Sequence, residues 1–303
     1  MIVLRYGQQF VIRYLFLLTL IGAVSAALLI VEFKLSLVWI TLGIPVAVLA
    51  MVAALERVKP YRAEWNHSHG DLRADLSSLL VVAGAVEPVI GVLGTVIAAT
   101  VYAQFEHLGW LTSRFPSHWP LLLQAVLLVL LADLGKYWVH RFGHETELGW
   151  RLHSVHHAVK RVYWLNGFRI HPLYHLINFA VGVLPWVCLG ASAQVVALYT
   201  VILAVSAAFQ HANIDLCHGR LNEVFNTNEV HRWHHSRRLE ESNANYGAVT
   251  LLWDWLFGSY RRQPSGCPDQ LGMVIEAGYP MNSYFKQLAV PFLWNRHSQS
   301  DSK

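Results

Sequence analysis

The sequence predicts an all-α protein, a polytopic membrane helical bundle with a cytoplasmic helical cap. Of its 303 residues, 54% are hydrophobic and only 14% are charged, and the mean hydropathy is +0.36. A soluble domain carries about 25% charged residues, so this composition favours the bilayer. Several apolar segments are long enough to cross it, and the histidines concentrate at helical spacing in the polar stretches that follow them.

Five apolar segments are predicted to supply the membrane helices, because a span needs about 20 apolar residues. These segments are Tyr14–Val31, Leu35–Leu55, Leu79–Ala103, Trp119–Leu134 and Leu176–Phe209. The last is long enough for two helices, and Pro185 and Gly190 near its middle predict a hairpin. Glu87 and Pro88 predict a kink in the third span that faces protein and not lipid. The N-terminal segment lacks a small-residue cleavage site and is expected to be a signal anchor.

Basic residues flank these segments unevenly, which predicts their orientation. Only Lys34 lies in the loop between the first and second segments, and only Arg114 lies in the loop between the third and fourth. Each larger basic cluster is separated from the next by an even number of predicted crossings, which places all these clusters on the same side of the membrane. We therefore predict that both termini and all the histidine-rich stretches are cytoplasmic. The expected organisation is an N-terminal transmembrane hairpin (1–55), a domain with the remaining spans and the histidines (56–262), and a C-terminal interfacial segment and tail (263–303).

Other features of the composition exclude several classes of site. Cys188, Cys217 and Cys267 form no CxxC pair, so neither a disulfide framework nor a thiolate zinc site is expected. The formal net charge of +4 is explained by basic residues on the cytoplasmic side of a membrane protein, and no nucleic-acid partner is expected. The chain has neither a GxGxxG fingerprint nor a P-loop, so its reductant should come from elsewhere.

The histidines are the principal functional signal in the sequence. Of 17 histidines, twelve lie between His140 and His235. Most fall into groups spaced i, i+3 or i+4, which places their side chains on one helix face: His140 and His144; His153, His156 and His157; His171 and His175; His231, His234 and His235.

A metal centre explains this concentration better than structural roles do. Packed imidazoles without a counter-charge would leave many ring nitrogens unpaired, whereas neutral imidazole is a good ligand for Zn, Fe, Cu and Ni. A structural zinc ion takes four ligands, so eight or more clustered histidines predict two ions. The cap is therefore expected to carry a polyhistidine di-metal site. The sequence His144-Glu145 does not begin an HExxH motif, because residue 148 is leucine.

Three histidine motifs in a fixed order resemble the signature of the fatty acid hydroxylase superfamily. This superfamily includes sterol desaturases, C-4 methylsterol oxidases, sphingolipid hydroxylases and alkylglycerol monooxygenase. The motifs are HRxxH at His140–His144, HxxHH at His153–His157 and HxxHH at His231–His235. The resemblance covers roughly residues 56–260 and extends to further landmarks: Asp133 with Tyr137, Phe168–Pro172, Phe209–Asn213 and Trp253–Tyr260.

The resemblance implies a non-haem di-metal centre, with two iron ions in active enzymes and zinc as an alternative in purified protein. Its implied ligands are His140, His144, His153, His156, His157, His171, His175, His211, His231, His234 and His235. Asp133 and Tyr137 precede His140 on the same predicted helix face and are candidates to support the ligands from behind. Asn243 and Asn245 are expected to be turn residues.

The activity implied by this resemblance is hydroxylation of an unactivated C–H bond of a lipid, with dioxygen as co-substrate. Electrons would come from an external ferredoxin, or from a cytochrome with a reductase. The substrate remains open among sterols, fatty acyl chains, sphingolipids and ether lipids. One alternative is a desaturase that uses the same site. The other is a non-catalytic membrane protein that binds or transports metal.

Overall fold

The computed structural model describes residues 2–108, 114–262, 266–274 and 278–294. The described residues form helices and no β-strand, which confirms the all-α prediction. The long helices are α1 (Ile2–Glu32), α2 (Ile44–Val58), α3 (Leu72–Val81), α4 (Glu87–His107), α5 (Leu121–Glu145), α6 (Glu147–His157), α7 (Pro172–Gly182) and α9 (Ala193–Gln210). The short helices are α8 (Leu184–Cys188), α10 (Asn228–His234), α11 (Leu239–Ser242), α12 (Leu252–Phe257) and α13 (Tyr284–Gln287).

Irregular helical segments connect several of these elements. Two π-helical segments lead directly into α2 and α4, namely Trp39–Gly43 and Val82–Val86. Four segments are 3₁₀-helical: Ala63–Asn66, Trp164–Phe168, Gly219–Glu223 and Val290–Phe292. Pro88 lies in a helical run that continues from the π-helical segment into α4, where the N–H of Glu87 donates to the carbonyl of Val82. The N–H that Pro88 lacks removes one bond from this run, and the π-helical segment is the resulting irregularity. Glu87 and Pro88 are exposed, so the prediction that the irregularity faces protein is wrong.

Five helical segments are long and apolar enough to cross a membrane, as expected of a polytopic integral membrane protein. They are Gln9–Glu32, Trp39–Val58, Leu72–His107, Leu121–Glu145 and Ala193–Gln210. The predicted C-terminal hairpin is present, but its first arm consists of α7 and α8, of 11 and five residues. Pro185 cannot donate a backbone hydrogen bond, which favours the break at Val183.

Helix α9 forms the centre of the bundle. It contacts α1, α2 and α5. Of the 18 residues of α9, 61% are buried, against 17% of the most apolar 18 residues in the span that includes α4. Leu198, Val205 and Phe209 of α9 are almost completely buried in the main apolar core. Helix α4 instead leaves most of its apolar surface exposed, as expected of a helix that faces lipid.

Backbone contacts place several chain segments at the same end of the bundle. The N–H of Cys217, beyond α9, donates to the carbonyl of Ile12 in α1 over 3.3 Å, and that of Asp215 donates to Lys59, beyond α2, over 3.1 Å. At the opposite end, the N–H of Phe115 donates to the carbonyl of Leu189 over 2.9 Å. The histidines at the ends of α5 and α9 therefore lie at the end that also holds the start of α1.

Two buried ion pairs attach α3 to the loop between α6 and α7. Arg169 pairs with Asp75 and Arg161 pairs with Asp71, both over 2.7 Å. The carboxylate of Asp75 also accepts hydrogen bonds from the hydroxyl of Tyr163 (2.7 Å) and the side-chain amide of Asn166 (3.2 Å). Because a buried carboxylate without partners would be costly, this network holds the loop in one conformation.

Residues 266–274 and 278–294 pack onto the same end of the bundle. The N–H of Gly272 donates to the carbonyl of His235 over 3.1 Å, and the hydroxyl of Tyr284 donates to the carbonyl of Ile170 over 2.7 Å. Phe285 and Phe292 remain 65% and 72% exposed. Residues 295–303, at the end of the predicted C-terminal tail, lie outside the described residues.

Candidate metal centre

Nine histidines converge into two adjacent groups at this end of the bundle. In each group, every histidine contributes one ring nitrogen, and these nitrogens all lie within 4.8 Å of one another. The first group contains His140, His144, His153, His157 and His234; the second contains His156, His211, His231 and His235. The stacked rings of His157 and His235 have centroids 4.5 Å apart, so the two groups share a boundary.

Helix periodicity explains how two short motifs serve both groups. His153 and His157 are four residues apart on α6 and enter the first group, whereas His156 enters the second. The α10 motif divides in the opposite way, since His231 and His235 enter the second group and His234 the first. Residues four apart share a helix stripe while a third member is displaced around the axis, so each motif reaches two sites.

A tight connection between α5 and α6 brings their histidines together. The side chain of Thr146 caps α6 by accepting the N–H of Gly149 over 3.1 Å. A Cβ atom on Gly149 would lie 2.2 Å from the carbonyl oxygen of Phe142, so only glycine permits this approach. As a result, Nε2 of His144 lies 3.1 Å from Nε2 of His157.

Hydrogen bonds on the outer side of the first group determine which ring nitrogen is protonated. Nδ1 of His140 lies 2.7 Å from the carbonyl oxygen of Tyr246, and Nδ1 of His234 lies 3.0 Å from that of Ala244. A carbonyl oxygen only accepts, so Nδ1 carries the proton and Nε2 presents a lone pair. Both Nε2 atoms are buried without a hydrogen-bond partner.

The second group has the same arrangement. Nδ1 of His156 faces the carbonyl of Arg169 and Nδ1 of His211 faces that of Ala207, each over 3.3 Å. Their Nε2 atoms are also 3.3 Å apart, so both present lone pairs to each other. This contact is repulsive unless a cation lies between the two nitrogens.

The separations between the ring nitrogens fit ligands of a shared metal ion. Two nitrogens about 2.1 Å from one ion would be about 3.0 Å apart at a right angle and about 3.4 Å apart at the tetrahedral angle. Nε2 of His231 lies 3.1 Å from those of both His211 and His235, and Nε2 of His157 lies 3.1 Å from that of His153. The residues present therefore fit one ion in each group.

Burial also keeps these rings in the protonation state that binds metal. Burial, followed by the neighbouring imidazoles, lowers the pKa of His153, His157, His231 and His235 well below its usual range. Burial lowers the pKa of His211 to about 4. The rings are therefore neutral at physiological pH, as a metal ligand must be.

Asp133, predicted to support the ligands, makes no hydrogen bond to any histidine among the described residues. It is buried, and its carboxylate accepts hydrogen bonds from the N–H groups of Ala248, Val249 and Thr250 and from the Thr250 hydroxyl, over 2.7–3.0 Å. The carboxylate of Asp254 accepts hydrogen bonds from the N–H groups of Tyr246 and Gly247, the two residues before Ala248. Together the two acids hold the segment whose Tyr246 carbonyl contacts His140.

Tyr137, the other predicted supporting residue, also makes no hydrogen bond to a histidine in the part of the chain that the structure describes. Its hydroxyl is 2.9 Å from that of Ser259 and accepts from Arg141 over 3.0 Å. Its ring packs against that of Tyr246, with centroids 6.0 Å apart. Tyr137 therefore contacts the same supporting segment as Asp133 does.

Two of the predicted ligands, His171 and His175, lie outside both groups. Nδ1 of His171 accepts the N–H of Leu173 over 3.1 Å, and its Nε2 donates to the carbonyl of Leu288 over 3.2 Å. His171 is thus the N-cap of α7. Nε2 of His175 lies 3.8 Å from a carboxylate oxygen of Glu87.

Several groups that contact the ligands were not identified from the sequence. The side-chain oxygen of Asn243 lies 3.1 Å from Nδ1 of His144, although Asn243 was expected to be only a turn residue. The other contacts are the backbone carbonyls of Arg169, Ala207, Ala244 and Tyr246. A backbone carbonyl has no sequence signal, because every residue carries one.

The fold and the site define an integral membrane protein with a buried cluster of nine histidines, able to bind metal, at one end of its helical bundle. The fatty acid hydroxylase family model matches residues 125–259, the segment that supplies all nine histidines. The chain belongs to this family, and it is an enzyme of the oxidoreductase class.

Curated relatives agree with this assignment. Ornithine lipid hydroxylase OlsE of Rhizobium tropici is 33% identical over 245 residues, covering 80% of this chain and 72% of the relative. Alkylglycerol monooxygenase of Danio rerio is 25% identical over 179 residues, covering 56% of this chain and 37% of the relative. A probable Delta(7)-sterol 5(6)-desaturase of Neurospora crassa is 29% identical over 163 residues, covering 51% and 43%. No solved structure gives a significant match.

Proposed function

We propose that this chain is a membrane-bound non-haem di-iron oxygenase that hydroxylates an unactivated C–H bond of a bilayer lipid. The observation that carries the proposal is the pair of buried histidine groups, whose unprotonated nitrogens converge at metal-ligand separations. Imidazole suits Zn, Cu, Ni and Fe alike, so the choice of iron rests on the family. The similarity to Ornithine lipid hydroxylase OlsE makes an amino-acid-containing lipid the first candidate substrate.

Two iron ions would supply the activation of dioxygen, while the chain's own residues shape the site. The overall reaction combines R–H, dioxygen, two electrons and two protons to give R–OH and water. The nine histidines would hold the ions. The carbonyls of Tyr246, Ala244, Arg169 and Ala207 keep four of these ligands in the tautomer that leaves Nε2 free.

An external one-electron donor would supply the electrons. A cavity of about 340 Å³ at the site end is lined by three basic side chains, Arg62, Lys160 and Arg237, and by one acid, Asp269. Its wall includes Leu271, and the next residue, Gly272, donates its N–H to the carbonyl of the ligand His235. This basic surface would suit an acidic ferredoxin or cytochrome, and such docking should weaken as salt is raised.

The proposed topology has the metal centre and both termini on the cytoplasmic side. Its support is the positive-inside rule together with the contacts that bring the start of α1, the ends of α2 and α9 and the histidines to one end. Exposed Phe285 and Phe292 would lie in the interface beside this site, in agreement with the proposed interfacial C-terminal segment. Accessibility of a cysteine introduced near residue 13 to a membrane-impermeant reagent tests the assignment.

Isotope labelling tests the reaction. Purified protein loaded with iron, a chemical or protein reductant and labelled dioxygen should yield a lipid that carries one heavy oxygen atom. An unlabelled product with a new double bond would instead support the desaturase alternative, which the similarity to a probable sterol desaturase favours. A matched protein with His234→Ala should consume no oxygen, since His234 belongs to the first metal group.

A further inference from the structure

Three ionisable side chains meet where α4, α5 and α7 come together on the membrane side of the metal centre. They are Glu87, Lys136 and His175. The His175 ring lies 3.8 Å from the Glu87 carboxylate. Helix α7 packs against both other helices, since a Cβ atom on its Gly182 would lie 3.2 Å from the Lys136 side chain and a Cβ atom on Gly94 of α4 would meet its Phe179 ring. Charged groups within the apolar spans of a membrane protein are costly and usually functional.

None of the three side chains has a satisfied hydrogen-bond set. The His175–Glu87 separation exceeds a hydrogen bond, and within the described residues Lys136 makes neither a side-chain hydrogen bond nor a salt-bridge contact. Asp133 differs, since four donors already satisfy its carboxylate. Glu87 and Lys136 therefore carry opposite charges on two helices that both pack against α7, and they do not pair with each other.

The trio lies at the depth where lipid headgroups meet the hydrocarbon. Glu87 lies within the 36-residue apolar segment Leu72–His107, which is longer than a hydrocarbon core requires. The 21 residues of α4, from Glu87 to His107, are about 31 Å long and match that core by themselves, and the preceding helix α3 is paired through Asp75 with Arg169 at the site end. The side chain of Glu87 is 52% exposed. Apolar neighbours on the same elements are also exposed, including Val89 (55%) and Leu176 (43%), as expected of a lipid-facing surface.

The trio is also within one helical turn of the first histidine group. Lys136 precedes His140 by four residues on α5, which corresponds to about 6 Å along the helix. His175 follows Tyr174, whose ring centroid is 4.6 Å from that of His153. A lipid held here by its headgroup would thus lie beside the metal centre. The π-helical segment Val82–Val86 ends at Glu87, and such segments are frequent at functional sites.

We propose that Glu87 and Lys136 bind the zwitterionic, amino-acid headgroup of the lipid substrate. Glu87 accepts hydrogen bonds from its ammonium group and Lys136 donates to its carboxylate, while His175 provides a neutral polar contact. An acid and a base that do not pair with each other can bind a zwitterion whose ammonium faces the acid and whose carboxylate faces the base. This inference rests on the proposed function and specifies the substrate class at the same site.

Photo-crosslinking tests the headgroup site directly. The full chain in phosphatidylcholine vesicles is exposed to ornithine lipid with a photoreactive acyl chain, and labelling is quantified by mass spectrometry. A second probe has its headgroup amine acetylated, which removes the ammonium. The unmodified chain should be labelled about tenfold more by the free amine, because a charge-assisted hydrogen bond is lost on acetylation.

The variant Glu87→Gln should abolish this preference without reducing labelling by the acetylated lipid. Glu106→Gln is the matched control, because Glu106 is exposed at the opposite end of the same helix, and it should retain the preference. Equal labelling of the unmodified chain by both probes would overturn the proposal even if Glu87→Gln fails to fold. A preference that survives in Glu87→Gln would overturn the assignment of Glu87.

Labelling requires neither reductant nor oxygen, so it is separable from turnover. If the hydroxylase proposal fails but the headgroup site is real, the amine preference remains while no product forms. If hydroxylation is real but the headgroup site is wrong, labelled product forms equally from both lipids.

Discussion

Replacing His211 by alanine should remove one of the two metal ions and leave the other. His211 belongs to the four-histidine group, and its Nε2 lies within 3.3 Å of two other ligands. Binding of a structural zinc ion by four ligands is worth about 10–16 kcal/mol, or about 2.5–4 kcal/mol for each ligand. Loss of one ligand should therefore weaken metal binding in this group by a few hundredfold.

The assay is the metal content after dialysis against a weak chelator, measured by mass spectrometry of the elements together with the protein concentration. The unmodified protein should retain two ions per chain and His211→Ala should retain one. His171→Ala is the matched control: His171 was also implied as a ligand, but it caps α7 and contacts the Leu288 carbonyl. It should retain two ions. The reasoning is refuted if His211→Ala keeps both ions at unchanged affinity, or if His171→Ala loses one.

Three further predictions concern the residues around the centre. Asn243→Ala should weaken metal binding in the first group by about 10–100-fold, since it removes the partner of His144; competition with a chelator measures this, and unchanged affinity would contradict it. Asp133→Asn should lower stability by about 3 kcal/mol or more, because an amide has only one accepting oxygen for the four buried donors. The control Asp215→Asn, at an exposed ion pair, should cost under about 1 kcal/mol. Equal melting temperatures of the two variants would refute this prediction. Gly247→Ala should prevent stable folding, because the added Cβ would lie 1.8 Å from the Thr250 carbonyl oxygen. The control Gly91→Ala should be tolerated, because its Cβ would meet nothing within 4 Å. Thermal melting of both variants in detergent measures the difference.

The class of fold was accessible from the sequence because its physical causes are local. A span needs a long apolar run, and the four earlier segments and the second arm of the hairpin each correspond to a helix of the expected type. The boundaries were less accessible. Helix α5 continues from the predicted end at Leu134 to Glu145, since hydropathy marks where apolar residues end and not where the helix ends. The extension carries His140 and His144 into the first histidine group.

The sequence by itself determined that a chain this apolar enters the membrane and that its histidines lie on helix faces, because composition and i, i+4 spacing are properties of short segments. Only the tertiary structure decided how those histidines divide. His153 and His156 belong to different groups, and His211, from the end of α9, belongs to the group of His156. His171 and His175 lie outside both groups. Membership in a metal site depends on where ring nitrogens from four separate elements point, and the packing of α5, α6, α9 and α10 sets those directions. The same packing brings Glu87, Lys136 and His175 together from three helices, a juxtaposition that no spacing along the chain contains.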